Sequence, residues 1–393
     1  MKRESYIISS KRTPIGSFQG VMSDFKAPEL GSIVIESILS ENNLDKESID
    51  EVILGNVLCS GIGQAPARQA AIYANLSYKV ECLTINKMCG SGMKATMLAD
   101  QAIKNGDADL IICGGMESMS NAPFILTGAR KGYRLGHQKI VDSIIHDGLW
   151  DAYLDKHMGG LAELCAKEKK ISRNAQDEYS KESYRRALIA RENGVFDSEI
   201  EPIKLKQKNG KIILLKDDEE PNKVKFEKIS SLNPVFDSAG TITVANASKI
   251  NDGAAGLLMS SKTKADSLGL KPLAKLIVQA SAAHAPEWFT TAPTLAIEKV
   301  LEKAGLTHND IDLWEINEAF AVVALSAIQD FNLDPRNVNI YGGAISLGHP
   351  IGASGARIIT TLINGMKKND AELGLAVICI GGGEASAVII KNV

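Results

Sequence analysis

The chain is poor in cysteine, and what it has is scattered. Six cysteines (Cys59, Cys82, Cys89, Cys113, Cys165, Cys379) are spread over 393 residues with no CxxC spacing. That excludes a compact disulfide scaffold and paired-thiol zinc sites, and no metal site is expected. The thiols read as reduced, in a cytoplasmic protein. There is no long basic run, and the formal net charge is −3, so nucleic acid is not an expected partner. No apolar stretch is long enough to cross a membrane, and no membrane association is expected. "YIISS" opens a strand by Tyr6, which leaves no room for a leader, and the closing "IIKNV" matches no peroxisomal or retention tripeptide. Low-complexity segments are also missing. What is present in quantity is apolar residue, 45% of the chain, enough for a large core divided into two or three domains.

Strand-like and helix-like runs alternate, which predicts an α/β architecture. "YIIS", "EVILG", "LIICGG", "GLLMS", "AKLIVQAS", "DLWEIN", "VNIYGG" and "LAVICIGGG" read as strands. Many are apolar throughout, as strands covered on both faces are. Amphipathic helices are expected between them, over residues 27–40 and 294–304 among others.

The chain also repeats itself. "LDKESIDEVILGN" from Leu44 resembles "LTHNDIDLWEINE" from Leu306, with Ile49-Asp50 matching Ile311-Asp312. In each copy an acceptor, Asp45 or Thr307, is placed to cap a short helical turn. Later in each copy comes a glycine-rich turn, a helix of similar length and an apolar strand ending in glycines: "CGSGMKATMLADQAIKNGDADLIICGG", then "GASGARIITTLINGMKKNDAELGLAVICIGGG". Two ordered matches predict a duplicated α/β domain. Residues 120–248 differ, with charge runs ("KEKK", "KDDEE") and a hairpin candidate turning at Asn209-Gly210. They read as an insertion. The expected domains are 1–119 plus 249–270, the inserted 120–248, and 271–393.

"INKMCGSGMKA" (residues 85–95) places Cys89 between a strand-like run and a helix-like run beginning near Met93. A thiol at a helix N-terminus is expected to favour its thiolate, although a buried structural cysteine is the plainer account of any single one. Three further places stand out: "NEAFA" from Asn317, "GGAISLGHPIGASGAR" around His349, and "CIGGGEASA" from Cys379. Singly, Asn317 could cap a helix, His349 could be a turn residue and Cys379 could be core. Together they supply a thiol, a base, an amide donor and a second thiol on strand-end loops, where α/β folds place their sites.

These four motifs, in this order and spacing, resemble those of the thiolase family over essentially the whole chain, nearest to its short-chain branch. The resemblance implies layered αβαβα domains in duplicate with an inserted coenzyme A-binding loop domain. It implies condensation of two acetyl-CoA to acetoacetyl-CoA and CoA, and the reverse thiolysis, by a ping-pong route through acetyl-Cys89. Cys89 would be the nucleophile, His349 its base, and Cys379 the acid/base at carbon. Asn317, through a water, and His349 would form one oxyanion hole; the amides of Cys89 and Gly381 would form the other. "HMGG" matches a segment whose His157 and Met158 line the thioester pocket, and "ANASKINDG" one whose Ser248 contacts pantetheine. Phe289 and Phe320 would complete the coenzyme A-binding set. Lys204, Lys206, Lys208, Lys211 and Lys216 are candidates for the phosphates, though a solvated face accounts for most of them. No metal or redox cofactor is implied. The partners implied are acetyl-CoA, acetoacetyl-CoA, CoA and further copies of the chain, as a homotetramer or a dimer.

The chain departs from the family pattern at three places. Ala385 stands where a glycine is common, Phe289 where short-chain members often carry methionine, and Asn222 where an arginine is frequent. Phe289 keeps open a second reading, a 3-ketoacyl-CoA thiolase of longer chain length. A condensing enzyme acting on acyl carrier protein typically has a second histidine where this chain has Cys379. A catalytically silent lipid-binding relative is a third possibility, opposed by the presence of all four catalytic side chains.

Overall fold

The computed structural model describes residues 3–206 and 210–393. Its principal sheet runs Leu313–Ile316, Leu373–Ile380, Glu384–Asn392, Ala274–Ala283, Ser5–Arg12, Asn251–Ser261, Leu110–Ser118, Glu51–Gly55, Glu81–Ile85. The order reads as two copies of one pattern joined back to back. Ser5–Arg12 and Ala274–Ala283 meet only at Tyr6↔Lys275 and Ile7↔Ala274. Outward from that seam each half has an antiparallel strand, a second antiparallel strand, then a parallel one. The repeat extends to single atoms. Asp50 Oδ2 accepts from the amides of Asp109 and Leu110 at 2.8 and 2.9 Å, and Asp312 Oδ2 accepts from Glu372 and Leu373 at the same distances. At Thr307 the turn is closed from the other side: its amide and its hydroxyl both donate to Asp310 Oδ2, so the side chain expected to accept donates instead.

Alternation along the strands builds the layers. Leu110, Ile112 and Met116 pack with the helices Ala27–Glu41 and Pro66–Tyr73 on one face, while Ile111 and Cys113 pack with the central helices Ser91–Asn105 and Ser354–Lys368 on the other. In the second half Leu375 and Val377 face the helices Ala292–Ala304 and Ala321–Phe331, and Ala376 and Ile378 face the same central pair. Helix, sheet, helix pair, sheet, helix is the layered αβαβα arrangement expected. The central helices meet backbone to backbone: a Cβ on Gly355 would stand 2.4 Å from the amide nitrogen of Met93. Only glycine allows that approach, and it brings the two helix starts, with the loops that precede them, to one point.

Three expectations about strands change. "VNIYGG" is not a strand: Asn339 and Gly342 have φ of 48° and 82°, and a single bridge joins Val338 to Trp314. The Asn339 side chain does the pairing instead, accepting from the amide of Ile316 and donating to its carbonyl, both at 2.8 Å. The strand read as "GLLMS" begins earlier, at Asn251, and Glu384–Asn392 is a full strand that the motif reading stopped short of.

Residues 120–248 contribute the helices Met158–Glu168 and Arg173–Glu192 and an antiparallel pair, Ile203–Lys206 with Ile212–Leu215. The hairpin turn at Asn209, with Lys208, lies outside the described residues. No helix among the described residues is long and apolar enough to cross a membrane.

Candidate active site

The loops that precede and follow the central layer enclose a cavity of about 210 Å³. Cys89, His157, Met158, Ser248, Phe289, Phe320, His349, Cys379 and Gly381 all line it. Asn317 is not among the lining residues: it is 1% exposed and lies two residues before Ala319, which does line the cavity. The nine sequence-predicted lining residues are brought together from seven separate stretches of chain.

Cys89 precedes its helix rather than starting it. The helix begins at Ser91 with Gly90 as cap, and Met88 is held at φ 46°, a left-handed conformation costing a bulky residue roughly 1–2 kcal/mol. Ser91 secures the turn, its hydroxyl donating to Met88 O at 2.6 Å and accepting from the Lys87 amide at 2.8 Å. The sulfur receives the backbone amides of Gly381 and of Cys89 itself, yet desolvation outweighs both and pushes the thiol up to about 11, with Glu117 adding to the rise. The shift runs opposite to the expected thiolate. At neutral pH this is a protonated thiol that needs a base, because burial penalises the anion more than two amides and a helix end favour it.

His349 is placed to be that base. Its amide donates to Asn251 Oδ1 at 2.8 Å, and its Nδ1 lies 2.6 Å from Ser354 Oγ, which is 2.9 Å from the carbonyl of Pro350. A carbonyl can only accept, so the hydroxyl proton goes to Pro350, and Ser354 Oγ accepts from Nδ1–H. The lone pair is then on Nε2, which is buried and has no partner among the described residues. Burial, with Arg357 adding, lowers the imidazole to about 3, so it is neutral throughout the working range.

Cys379 ends the strand Leu373–Ile380, 1% exposed, its thiol raised well above the usual range first by desolvation and then by Cys89. Asn317 is not a helix cap; Phe320 holds that place for Ala321–Phe331. Both polar atoms of the Asn317 side chain are buried without a partner among the described residues. Its neighbour Glu318 fixes the segment, accepting from Tyr179, Ser183, Asn339 and the Ile345 amide between 2.8 and 3.1 Å.

The amides of Cys89 and Gly381 both reach the one sulfur, which puts two N–H donors together where the family resemblance expects an oxyanion hole. A Cβ at Gly381 would meet only Met158 Sδ, at 3.5 Å, an ordinary contact. Gly381→Val should therefore fold with an unchanged melting temperature while its branched methyls crowd the hole and lower kcat by about 10²–10³. Normal turnover in the folded variant would refute the assignment.

An aromatic collar surrounds the mouth. His157 stacks on Phe236 at 4.6 Å, and Phe320 meets Phe236 and Phe289 edge-on, each at 6.3 Å. His157 is also the cap of Met158–Glu168, its Nδ1 accepting from the Gly159 amide at 3.0 Å, so the structural and the cavity-lining readings both hold. A groove beside the cavity shares Phe236, Ser248 and Lys249 with it and adds Lys223. Of the described hairpin lysines, Lys204, Lys206, Lys211 and Lys216 are not among the residues lining this groove; Lys204 borders a different one with Lys11 and Glu41.

Sequence reasoning missed Ser354, Lys249 and Glu117. Glu117 is fully buried and accepts from Asn56 Nδ2 and the amides of Val57, Leu58 and Gly352, at 2.6–3.2 Å. It ties the loop after Glu51–Gly55 to the loop bearing His349, and burial raises its carboxyl to about 7 despite those donors. A carboxylate inside the apolar run "LIICGGMES" was the available signal, since unpaired acids are almost never fully buried.

Comparison with known proteins identifies the family and the fold. The thiolase N-terminal domain matches residues 5–263 and the thiolase C-terminal domain residues 270–392. The chain is 46% identical to the acetyl-CoA acetyltransferase of Schizosaccharomyces pombe over 99% of both chains, and 48% identical to that of Cupriavidus necator over 98% of both. Among solved structures, Acat5 thiolase from Ascaris suum in complex with coenzyme A superposes with a TM-score of 0.94 at 42% identity, over 99% of this chain and 100% of that one. The acetyl-CoA acetyltransferase of Bacillus anthracis gives 0.97 at 37% identity, over 100% of this chain and 99% of that one. Both thiolase domains are matched in order across nearly the whole sequence, and relatives at 46–48% identity align from end to end, so the chain belongs to the thiolase family.

Proposed function

We propose that the chain is an acetyl-CoA C-acetyltransferase, joining two acetyl-CoA to form acetoacetyl-CoA and CoA and catalysing the reverse thiolysis. The observation that carries this reading is the convergence of Cys89, Cys379, the free Nε2 of His349 and the Gly381 amide on one cavity. His349 Nε2 takes the Cys89 proton as sulfur attacks the thioester carbonyl, and the oxyanion is held by the Cys89 and Gly381 amides. The leaving CoA sulfur collects that proton from His349, leaving acetyl-Cys89. A second acetyl-CoA then enters the same cavity. Cys379 passes its proton to His349 and removes one from the methyl carbon, while the imidazolium and Asn317 stabilise the enolate oxygen. The carbon attacks acetyl-Cys89, and Cys89 departs with the proton from His349. Protons balance over the cycle, and no metal or redox cofactor is needed for acyl and proton transfer.

Residues 120–248 serve in this reading as the coenzyme A platform between domains 1–119 plus 249–270 and 271–393, supported by His157, Met158, Phe236 and Ser248 at the cavity. The coenzyme A bound in the Ascaris suum relative supports the same ligand class. A homotetramer is part of the proposal. The exposed Phe124, Leu135 and Ile140 support it, since a lone chain would leave this apolar surface to water. Six free cysteines suit a cytoplasmic enzyme.

Phe289 argues for the short substrate. It lines the cavity, 2% exposed and edge-on to Phe320, and the bulk of its ring leaves less room there for a longer acyl chain. The test compares CoA-dependent cleavage of acetoacetyl-CoA with that of a six- or eight-carbon 3-ketoacyl-CoA, and measures acetyl transfer from acetyl-CoA to the protein. The expected result is strong preference for acetoacetyl-CoA and one acetyl group per chain on Cys89. Equal use of the longer substrate would move the chain to the degradative reading, and no acetylation at all to a silent binding protein.

A further inference from the structure

Lys249 stands on the wall shared by the catalytic cavity and the adjoining groove, and the proposed reaction does not use it. An ordinary lysine beside a groove would extend its ammonium into water. This one turns back on its own chain. Its Nζ donates to the carbonyl of Val244, lies 3.0 Å from the carbonyl of Ala247, and sits 5.9 Å from the centroid of the buried Tyr184 ring on the helix Arg173–Glu192. Two carbonyl dipoles and an aromatic face form a cradle for a cation. Burial lowers its pKa to about 8, with Glu220 opposing the shift, so the cradle stands in for water that the ammonium has lost.

The segment so closed carries the pantetheine candidate. Within residues 243–248 the Thr243 amide donates to Asn246 Oδ1 at 2.8 Å and the Ala245 amide to Thr243 Oγ1 at 3.2 Å. These bonds satisfy N–H groups and leave the inward carbonyls of Val244 and Ala247 to Lys249. On its other side the segment is stitched to the loop that follows Asn317: Ser248 N donates to Ala319 O, and Ala321 N to Asn246 O, both at 2.9 Å. A shift in residues 243–248 therefore moves Ser248 and Ala247, which line the cavity, while Cys89, His349 and Cys379 are held by other elements.

We propose that Lys249 is a positioning residue whose ammonium acts as a tethered cation, shaping residues 243–248 to receive the pantetheine arm of a coenzyme A thioester. The inference rests on the acetyltransferase reading. The arm is bound alike in ground and transition states, so loss of the cation weakens binding uniformly. Lys249→Ala is expected to raise KM for acetoacetyl-CoA and for CoA by about tenfold, the effect of about 1.4 kcal/mol, with kcat changed by less than about threefold. Added ethylammonium should restore KM, whereas tetramethylammonium, which has no N–H to donate, should not. Lys249→Met, which keeps the stem and loses the charge, should match Lys249→Ala in KM with the wild-type melting temperature. A fall in kcat at unchanged KM, an unchanged KM, or equal rescue by both cations would overturn the proposal. If the wild-type protein fails to cleave acetoacetyl-CoA, it is the acetyltransferase reading that falls, and the two failures are distinct.

Discussion

His349→Ala is expected to lower kcat for acetoacetyl-CoA formation by about 10⁴-fold or more, and to convert a flat pH profile into a steep one. The size follows from two roles on one ring. A positioned general base contributes about 10²–10⁴, and one oxyanion donor about 10²–10³. The pH dependence follows from the two shifted groups. Burial holds the Cys89 thiol at about 11 and the His349 imidazole at about 3. Between those values the wild-type site is a neutral thiol beside a neutral base, so its first step should not change between about pH 6 and 9 on account of either group. Without the imidazole only the spontaneous thiolate can attack, a fraction of about 10⁻⁴ at pH 7. That fraction grows tenfold with each pH unit up to about 11, and the variant's acylation rate should grow with it. Rapid-quench measurement of Cys89 acetylation across pH tests both parts. A variant acylation rate independent of pH would mean that Cys89 is ionised by some other route. Ser354 gives a graded control: Ser354→Ala removes the acceptor that keeps the proton on Nδ1, so it should lower the rate without creating the slope.

Much of this site was legible because glycines and reactive side chains share short motifs. "CGSG", "GHPIGASG" and "CIGGG" mark the turns by composition, and the repeat joining Asp50 to Asp312 reveals two equivalent halves before any coordinate is known. The structure refines the symmetry. The helices Ser91–Asn105 and Ser354–Lys368 are counterparts, so the loop opposite Cys89 is the one carrying His349, and Cys379 belongs to a strand end. Other features depend on three-dimensional competition that no local pattern encodes. The charge state of Cys89 looked favourable from the helix start alone, but desolvation, with Cys89 packed against the cluster of Val57, Leu58, Met119 and Ile351, opposes it. "VNIYGG" has a strand's composition, yet the Asn339 side chain occupies the hydrogen bonds that a strand would supply. Lys249 reads as one more polar residue in "ANASKINDG" until its ammonium is seen against Val244 and Ala247.

Cys379→Ala should separate the two halves of the reaction. In this variant Cys89, His349 and the Gly381 amide are intact, so acetyl-CoA should still acetylate Cys89. Exchange of labelled CoA with acetyl-CoA should continue within about tenfold of wild type, because that chemistry passes its proton only through His349. Carbon–carbon bond formation should fall by about 10⁴-fold, since removing a proton from a methyl carbon at neutral pH requires a base within reach, and with Cys379 gone and Cys89 acetylated the proposed route leaves only the imidazole, which it assigns to the enolate oxygen. The fold should tolerate the change. Cys379 packs with Met158, Phe289 and Phe320, and deleting one sulfur atom there costs about 1 kcal/mol, below the range for deleting a whole leucine side chain. The raised thiol also fixes the sense of the wild-type step. On the proposed route Cys379, protonated at rest, loses its proton to His349, so the base is generated after acetyl-Cys89 has formed and the imidazole is free again. Loss of exchange together with condensation in a folded Cys379→Ala protein would place Cys379 in the first half-reaction as well, as the acid for the departing CoA, and would shift that proton from His349 to sulfur.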